Sequence, residues 1–168
     1  MVGHATMGAH RAGFAQVPPV VLGLARRAIE EFTQLAQTKQ SAFGRPRLAE
    51  QVQAQTGVAR AEALVRAART YWYNELETLW YEAVRHEPIS SALRASQRIA
   101  SLVATEHCVA AVDVLYHLAG SSAVFQSSPL ERCFRDVHTA AQHFQVQEGR
   151  WETNGRVLFG LDAGSPVL

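Results

Sequence analysis

Apolar residues recur every three or four positions along most of this chain, and strand-like alternation is scarce. That rhythm gathers the apolar side chains on one stripe of a helix, and such a stripe has to be buried against another element. Glycine and proline cut the pattern into segments. Pro18-Pro19 precedes a first helix through Val21, Leu24, Ala28, Phe32 and Leu35, which stops near Gln40, before the breakers in Ser41 to Pro46. The pattern predicts a second helix from about Leu48 to Arg85, on the order of 55 Å long if unbroken. Its stripe includes Ala61, Leu64, Val65, Ala68, Trp72, Leu76, Leu79, Trp80 and Ala83, with Gly57 as a soft point. Pro88 suits the first turn of a third helix ending at Ala119, where Gly120 is placed as a left-handed C-cap.

The start of the fourth helix carries the strongest local signals. Ser128 stands as N-cap, Pro129 at the first helical position and Glu131 three residues after the cap, a capping box. Glu131 with Arg135 and Arg132 with Asp136 are i,i+4 pairs that support the helix modestly. Gly149 is expected to end or bend it, and a short amphipathic segment from Trp151 to Phe159 follows. The reading is an all-α, up-down-up-down four-helix bundle over residues 18–168 with a short C-terminal helix, after an irregular lead-in at 1–17.

Composition narrows the function classes. The formal net charge is +1 with both signs dispersed, so no basic stripe of the kind a nucleic-acid binder needs is present. No apolar run approaches the roughly 20 residues that span a bilayer. Met1 to Ala15 lacks the charged-then-apolar order of a secretory signal, and Cys108 and Cys133 lie far apart, as expected of reduced cysteines in the cytoplasm.

Seven histidines raise the question of a metal. His138 and His143 are five apart and so rotate off a shared helical face; His107 and His117 lack the Glu-x-x-His pattern of di-iron bundles. No metal site is expected. Tyr71-Trp72-Tyr73 with Trp80 suits either core packing plus one exposed ring or an aromatic pocket. Asp113 and His117 are spaced for a carboxylate–imidazole hydrogen bond on one helix.

Several of these pieces together resemble the C-terminal bundle of the acyl-CoA dehydrogenase superfamily. His117 falls at the glutamine of that family's Gln-x-x-Gly-Gly-x-Gly turn, Gly120-Ser121-Ser122-Ala123 at its glycines, and Pro129, Glu131, Arg132, Arg135 and Asp136 on its Pro-x-Glu-(Arg/Lys)-x-x-Arg-Asp helix. Phe43-Gly44-Arg45-Pro46 is similar to its Phe-Gly-Lys-Pro loop. The likeness runs from about Val20 to Gly160.

Three departures give the resemblance its direction. The glutamate that abstracts the α-proton in typical members is Phe144 here, preceded by His143. The family arginine that helps hold FAD pyrophosphate is Gln40, and the glycine-rich turn has become Gly-Ser-Ser. All three look like the two-component flavin monooxygenases, the oxygenase components of hydroxyphenylacetate or dibenzothiophene type. The resemblance implies an oxidoreductase using reduced FMN or FAD from a partner flavin reductase and hydroxylating a small aromatic or heteroaromatic substrate through a C4a-hydroperoxyflavin. It implies His143 as the catalytic residue, Gly120, Ser121, Ser122 and Arg135 as flavin contacts, and a cytoplasmic homotetramer. Members of the superfamily carry an N-terminal helical domain and a middle β-domain ahead of the bundle, so this chain is expected to be the C-terminal domain alone. Two other readings stand beside this one: an acyl-CoA dehydrogenase-like oxidoreductase acting on CH–CH groups with its base elsewhere, and a non-catalytic truncated assembly domain.

Overall fold

In a computed structural model that describes residues 17–39, 46–85 and 88–165, α1 runs Val17–Thr38. Pro18 and Pro19 sit in its first turn, where the backbone N–H groups have no helical partner to lose. Val17, expected in the lead-in, is already helical and buried; the remainder of the lead-in and the Gln40 to Arg45 stretch fall outside the described residues.

The long second helix divides in two. Leu48–Glu50 forms one 3-10 turn, Gln51 is extended at φ −85° and ψ 132°, and α2 then runs Val52–Val84. Buried Leu48 anchors the turn, the Gln51 backbone N–H closes it on the Leu48 carbonyl at 3.1 Å, and the Gln51 side-chain amide donates back to the Pro46 carbonyl at 3.1 Å. α3, Ser91–Ala119, starts later than Pro88 suggests. Ser90 is its N-cap, its hydroxyl accepting from the Leu93 N–H at 3.1 Å.

Gly120 has φ +58°, and its N–H returns to the His117 carbonyl at the end of α3. A 3-10 turn over Gly120–Ala123 leads toward α4, Pro129–Ala141. Ser128 holds the N-cap position with φ −78° and ψ 125°, yet its side chain makes no capping hydrogen bond, so the expected capping box does not form. The ion pairs do: Arg132–Asp136 at 3.5 Å and Arg135–Glu131 at 4.0 Å. α4 ends at Ala141 rather than Gly149, because half-buried Val146 packs on the core and draws residues 142–148 into a turn. Gly149 instead begins α5, Gly149–Leu158.

Cross-helix pairs fix the topology. Glu62 of α2 meets Arg26 of α1, and Glu75 of α2 accepts from the Ser96 hydroxyl of α3 at 2.8 Å. Asp113 and Tyr116 of α3 face His138 and Phe134 of α4. Each pairing runs antiparallel, and the Lys39 ammonium donates to the Ala119 carbonyl at 2.8 Å, joining the ends of α1 and α3. The result is the up-down-up-down bundle read from the sequence, with α5 laid on α3 through the Trp151 indole N–H and Glu106 (2.8 Å). Among the described residues no strand forms.

α3 touches α1, α2, α4 and α5. Ser91–Ala123 is long and apolar enough to cross a membrane by length and composition alone, with mean hydropathy 1.4 over an 18-residue window, and 50% of that window is buried inside the bundle. The neighbours of α3 explain its apolarity: it is the helix around which the others pack.

Small residues line the contacts, including Ala25, Ala28, Ala61, Ala68, Ala100, Ala104 and Ala111, each fully buried. Gly57 takes this furthest. A Cβ there would overlap Leu118 Cδ1 and come within 3.3 Å of Val114 Cγ1, so glycine allows α2 to close on the end of α3. Cys108 and Cys133 are free and buried, and burial pushes the Cys108 thiol up to about 12.

Two stability outcomes follow. Ser90→Ala should cost about 1 kcal/mol and Ser128→Ala less than about half of that, because only Ser90 caps with its side chain; urea denaturation of the two variants checks the order. The Arg26 hydrogen bond, opposed by burial and assisted by Arg66, holds the Glu62 carboxyl below its ordinary 4.5. A carboxyl lowered on folding contributes stability above its unfolded pKa and loses that contribution as pH falls through the folded one. The urea midpoint difference between wild type and Glu62→Gln should therefore be constant near neutrality and shrink below about pH 4.5.

Candidate functional site

The outward face of α4 repeats every three or four residues: Glu131, Phe134 and Arg135, His138 and Thr139, then Gln142. With Tyr116 and Val124 these residues line an open groove of about 560 Å³. A second groove of about 400 Å³ is lined by Val17, Val20, Thr139, Ala140, Gln142 and His143. Thr139 and Gln142 belong to both, so the two form one track along α4, a helix of roughly 20 Å.

His143 stands beyond the end of α4, exposed, in the turn that Val146 anchors. Its N–H donates to the Ala140 carbonyl at 3.1 Å, and its carbonyl accepts from Val146 N–H at 2.9 Å, so the backbone at this position is held. The ring leans on Phe144 at 4.7 Å between centroids. Nδ1 accepts from the Gln145 N–H at 3.4 Å, which leaves Nε2 to carry the proton of the neutral ring. Gln145 Oε1, beside it in the turn, is buried with no hydrogen-bond partner among the described residues. Phe144 is 46% exposed and presents no acceptor.

The other candidates are dispersed. Arg135 lines the larger groove, 59% exposed in its side chain, and pairs with Glu131 at 4.0 Å and Asp136 at 3.6 Å. Ser121 is exposed and Ser122 half-buried in the turn after Gly120, at the opposite end of α4 from His143. The fold thus brings Arg135 and His143 onto one track and leaves Gly120, Ser121 and Ser122 a helix length away.

One pair escaped the sequence reading. The Asp113 carboxylate turns away from His117 and bonds His138 Nε2 across the α3–α4 contact at 2.8 Å, while His117 Nδ1 meets the Asp113 backbone carbonyl at 2.7 Å. An i,i+4 spacing suggested the wrong histidine, because helix geometry allows the local pair but says nothing of a neighbouring helix. The available signal was the alignment of His138 with Phe134 and Glu131 on one α4 face. The aromatic run, for its part, forms no common pocket: Trp72 is 3% exposed in the core, whereas Tyr73 and Trp80 are 45% and 69% exposed. Among the described residues no group of three or more His, Cys, Asp or Glu side chains converges on a point.

Comparison with known proteins gives a consistent set. The family model for the acyl-CoA dehydrogenase C-terminal domain matches residues 15–148. Indole-3-acetate monooxygenase of Pseudomonas putida is 34% identical over 150 residues, covering 86% of this chain and 38% of that protein. The oxygenase component of p-hydroxyphenylacetate 3-hydroxylase from Acinetobacter baumannii is 28% identical over 152 residues, covering 90% and 35%. Among solved structures, XiaF from Streptomyces sp., in complex with FADH2 and glycerol, superposes with a TM-score of 0.85 at 24% identity, covering 92% of this chain and 40% of that one. The 3-HSA hydroxylase from Rhodococcus sp. RHA1 gives 0.81 at 20% identity. At those identities the superpositions establish the fold. The chain spans about two-fifths of the length of the relatives it matches.

Proposed function

The chain belongs to the acyl-CoA dehydrogenase C-terminal domain family, and from that premise we propose that it is the bundle of a flavin-dependent monooxygenase hydroxylating an aromatic substrate. The observation that carries this reading is the 34% identity to an indole-3-acetate monooxygenase across most of the chain. Phe144 supports it: a phenyl ring takes no α-proton, so a dehydrogenase would need its base elsewhere.

Reduced FMN or FAD from a partner flavin reductase is the cofactor in this reading, and the residues present fit it. The exposed His143 imidazole offers a flavin ring a donor on Nε2, since Nδ1 accepts from the Gln145 N–H. Gly120, Ser121, Ser122 and Arg135 are the other proposed contacts; their separation by the length of α4 suits an extended nucleotide or one reached from two subunits. When bound, the reduced flavin supplies the electrons that activate oxygen.

His143 is the proposed catalytic residue. With Nδ1 tied to the Gln145 N–H, it presents a proton on Nε2 at the mouth of a groove walled by Val17, Val20 and Ala140. An imidazole is suited to hold or return such a proton near neutral pH. Water has to be kept from this chemistry, and His143 is exposed in the single chain, so a covering surface is part of the proposal. Assembly as a homotetramer is too: Tyr73, Trp80 and Val84 lie exposed on the outer side of α2, an apolar stripe suited to burial between copies. The same reading has the protein working in the cytoplasm.

The assay combines the protein with a flavin reductase, NADH, FMN or FAD, air, and indole-3-acetate or p-hydroxyphenylacetate, with product read by mass spectrometry. Wild type should yield a product heavier by one oxygen atom. His143→Ala should lower that yield on the order of a hundredfold while NADH continues to be consumed. Equal yields from wild type and His143→Ala would remove His143 from the chemistry, and no affinity of wild type for either reduced flavin would sink the assignment itself.

A further inference from the structure

His143 lies past the last turn of α4, so no helix face fixes the direction of its ring. Val146 anchors the far side of the turn on the core, and the Gln147 side-chain amide donates to the Gln142 carbonyl at 3.0 Å. Between those two tethers His143 and Phe144 are both exposed. Exposed residues gain little from burial, so their geometry depends on hydrogen bonds made from outside the stretch.

Arg150, in the first turn of α5, supplies one. Its Nε donates to the Phe144 carbonyl at 2.9 Å, and its guanidinium carbon lies 5.8 Å from the centre of the Phe144 ring, within reach of a cation–π contact. Nη1 donates to the Ser165 hydroxyl at 3.4 Å, which holds the other side of the fork. Arg150 forms no ion pair among the described residues, so charge pairing does not account for its place. α5 is itself fixed: buried Asn154 donates to the Arg150 carbonyl at 2.8 Å, and the Trp151 indole bonds Glu106 of α3.

The atom that Arg150 grips decides the consequence. Phe144 C=O and Gln145 N–H are the two ends of one planar trans peptide. Arg150 takes the oxygen end, and His143 Nδ1 takes the hydrogen end at 3.4 Å. Aiming the carbonyl therefore aims the N–H. A cationic donor on the oxygen also polarises the peptide and makes its N–H a better donor. A guanidinium stays protonated throughout the range in which an imidazole titrates, so this grip does not switch with pH.

We propose that Arg150 is the positioning residue for His143: through the Phe144–Gln145 peptide it directs the imidazole and keeps the neutral ring protonated on Nε2. The arrangement follows from the geometry; its use in catalysis rests on the monooxygenase reading. Arg150 acts through the peptide and touches neither flavin nor substrate.

The test uses the whole chain labelled with 15N, studied above the pH range in which imidazole titrates. In wild type, His143 Nδ1 and Nε2 should resonate as an acceptor and an N–H nitrogen, further apart than in free histidine. The Gln145 amide should exchange with solvent about fivefold more slowly than an open amide, the worth of one hydrogen bond. Arg150→Met keeps the stem and removes the donors. It should bring both readings to their free values, while the His138 resonances, held by Asp113, stay in place. Arg150→Lys, whose ammonium still donates to the Phe144 carbonyl, should restore them. In the reductase assay Arg150→Met should give roughly a tenth of the wild-type product per NADH, and Arg150→Lys most of it. Unchanged His143 and Gln145 readings in a folded Arg150→Met protein would overturn the proposal. Free-histidine values in the wild type would overturn it too, and that measurement needs no variant to fold. Product without these responses sinks this inference alone, whereas the responses without product from wild type sink the monooxygenase reading and leave the positioning of His143 standing.

Discussion

The spacing of the helices is set by residues that end at Cβ. Fully buried alanines on α1, α2 and α3, together with Gly57 against Leu118, let the backbones approach closely around α3. Such a core gains little from any one side chain, since alanine buries few atoms, but it also loses no rotamer freedom. Larger groups then fill particular levels: Phe32 and Leu115 among them, with Leu130 and Val137 closing the α4 side. The orientation of α4, and so of every groove residue, depends on that packing.

α3 serves two environments along its length. Toward its C-terminal half it is apolar on the faces that meet α1, α2 and α4. Nearer its start it buries Gln97, Arg98, Ser101 and Thr105. Ser101 and Thr105 satisfy their hydroxyls on carbonyls one turn back, at 3.0 and 2.9 Å, so they enter the interior without needing a partner helix. Burial, followed by the nearby charges of Arg150 and Arg94, lowers the Arg98 pKa from its ordinary value. α5 lies over the same helix, with Asn154 buried and Trp151 tied to Glu106. A polar stretch that a binary pattern would leave in solvent is thereby covered.

The candidate groove residues gather along α4, whose inner face holds Leu130, Cys133 and Val137 in the core while its outer face stays open. The division matters chemically. A rigid inner face fixes the outer side chains relative to α3, and the Asp113–His138 hydrogen bond reads that fixed distance directly. His143 is held differently, by backbone hydrogen bonds in a turn, so its ring position follows from where the helix stops rather than from which face it occupies.

The amino-acid pattern determined a good deal by itself. Three-four periodicity, Pro18-Pro19, Gly120 and Pro129 each act locally, through φ limits or missing N–H groups, and the helices, their order and the antiparallel bundle followed from them. The motif around Pro129 to Asp136 also marked the start of α4 and its i,i+4 ion pairs. What the pattern could not supply depended on contacts between distant segments. Ser128 holds the N-cap position but makes no side-chain bond there, while Ser90 makes one, because the entering chain's path decides which hydroxyl reaches an N–H. α4 ends at Ala141 because Val146 finds the core, a gain invisible to helix propensity. Asp113 chose His138 over His117 because a carboxylate bonds the imidazole that packing brings within 2.8 Å, and only the folded chain decides which one that is.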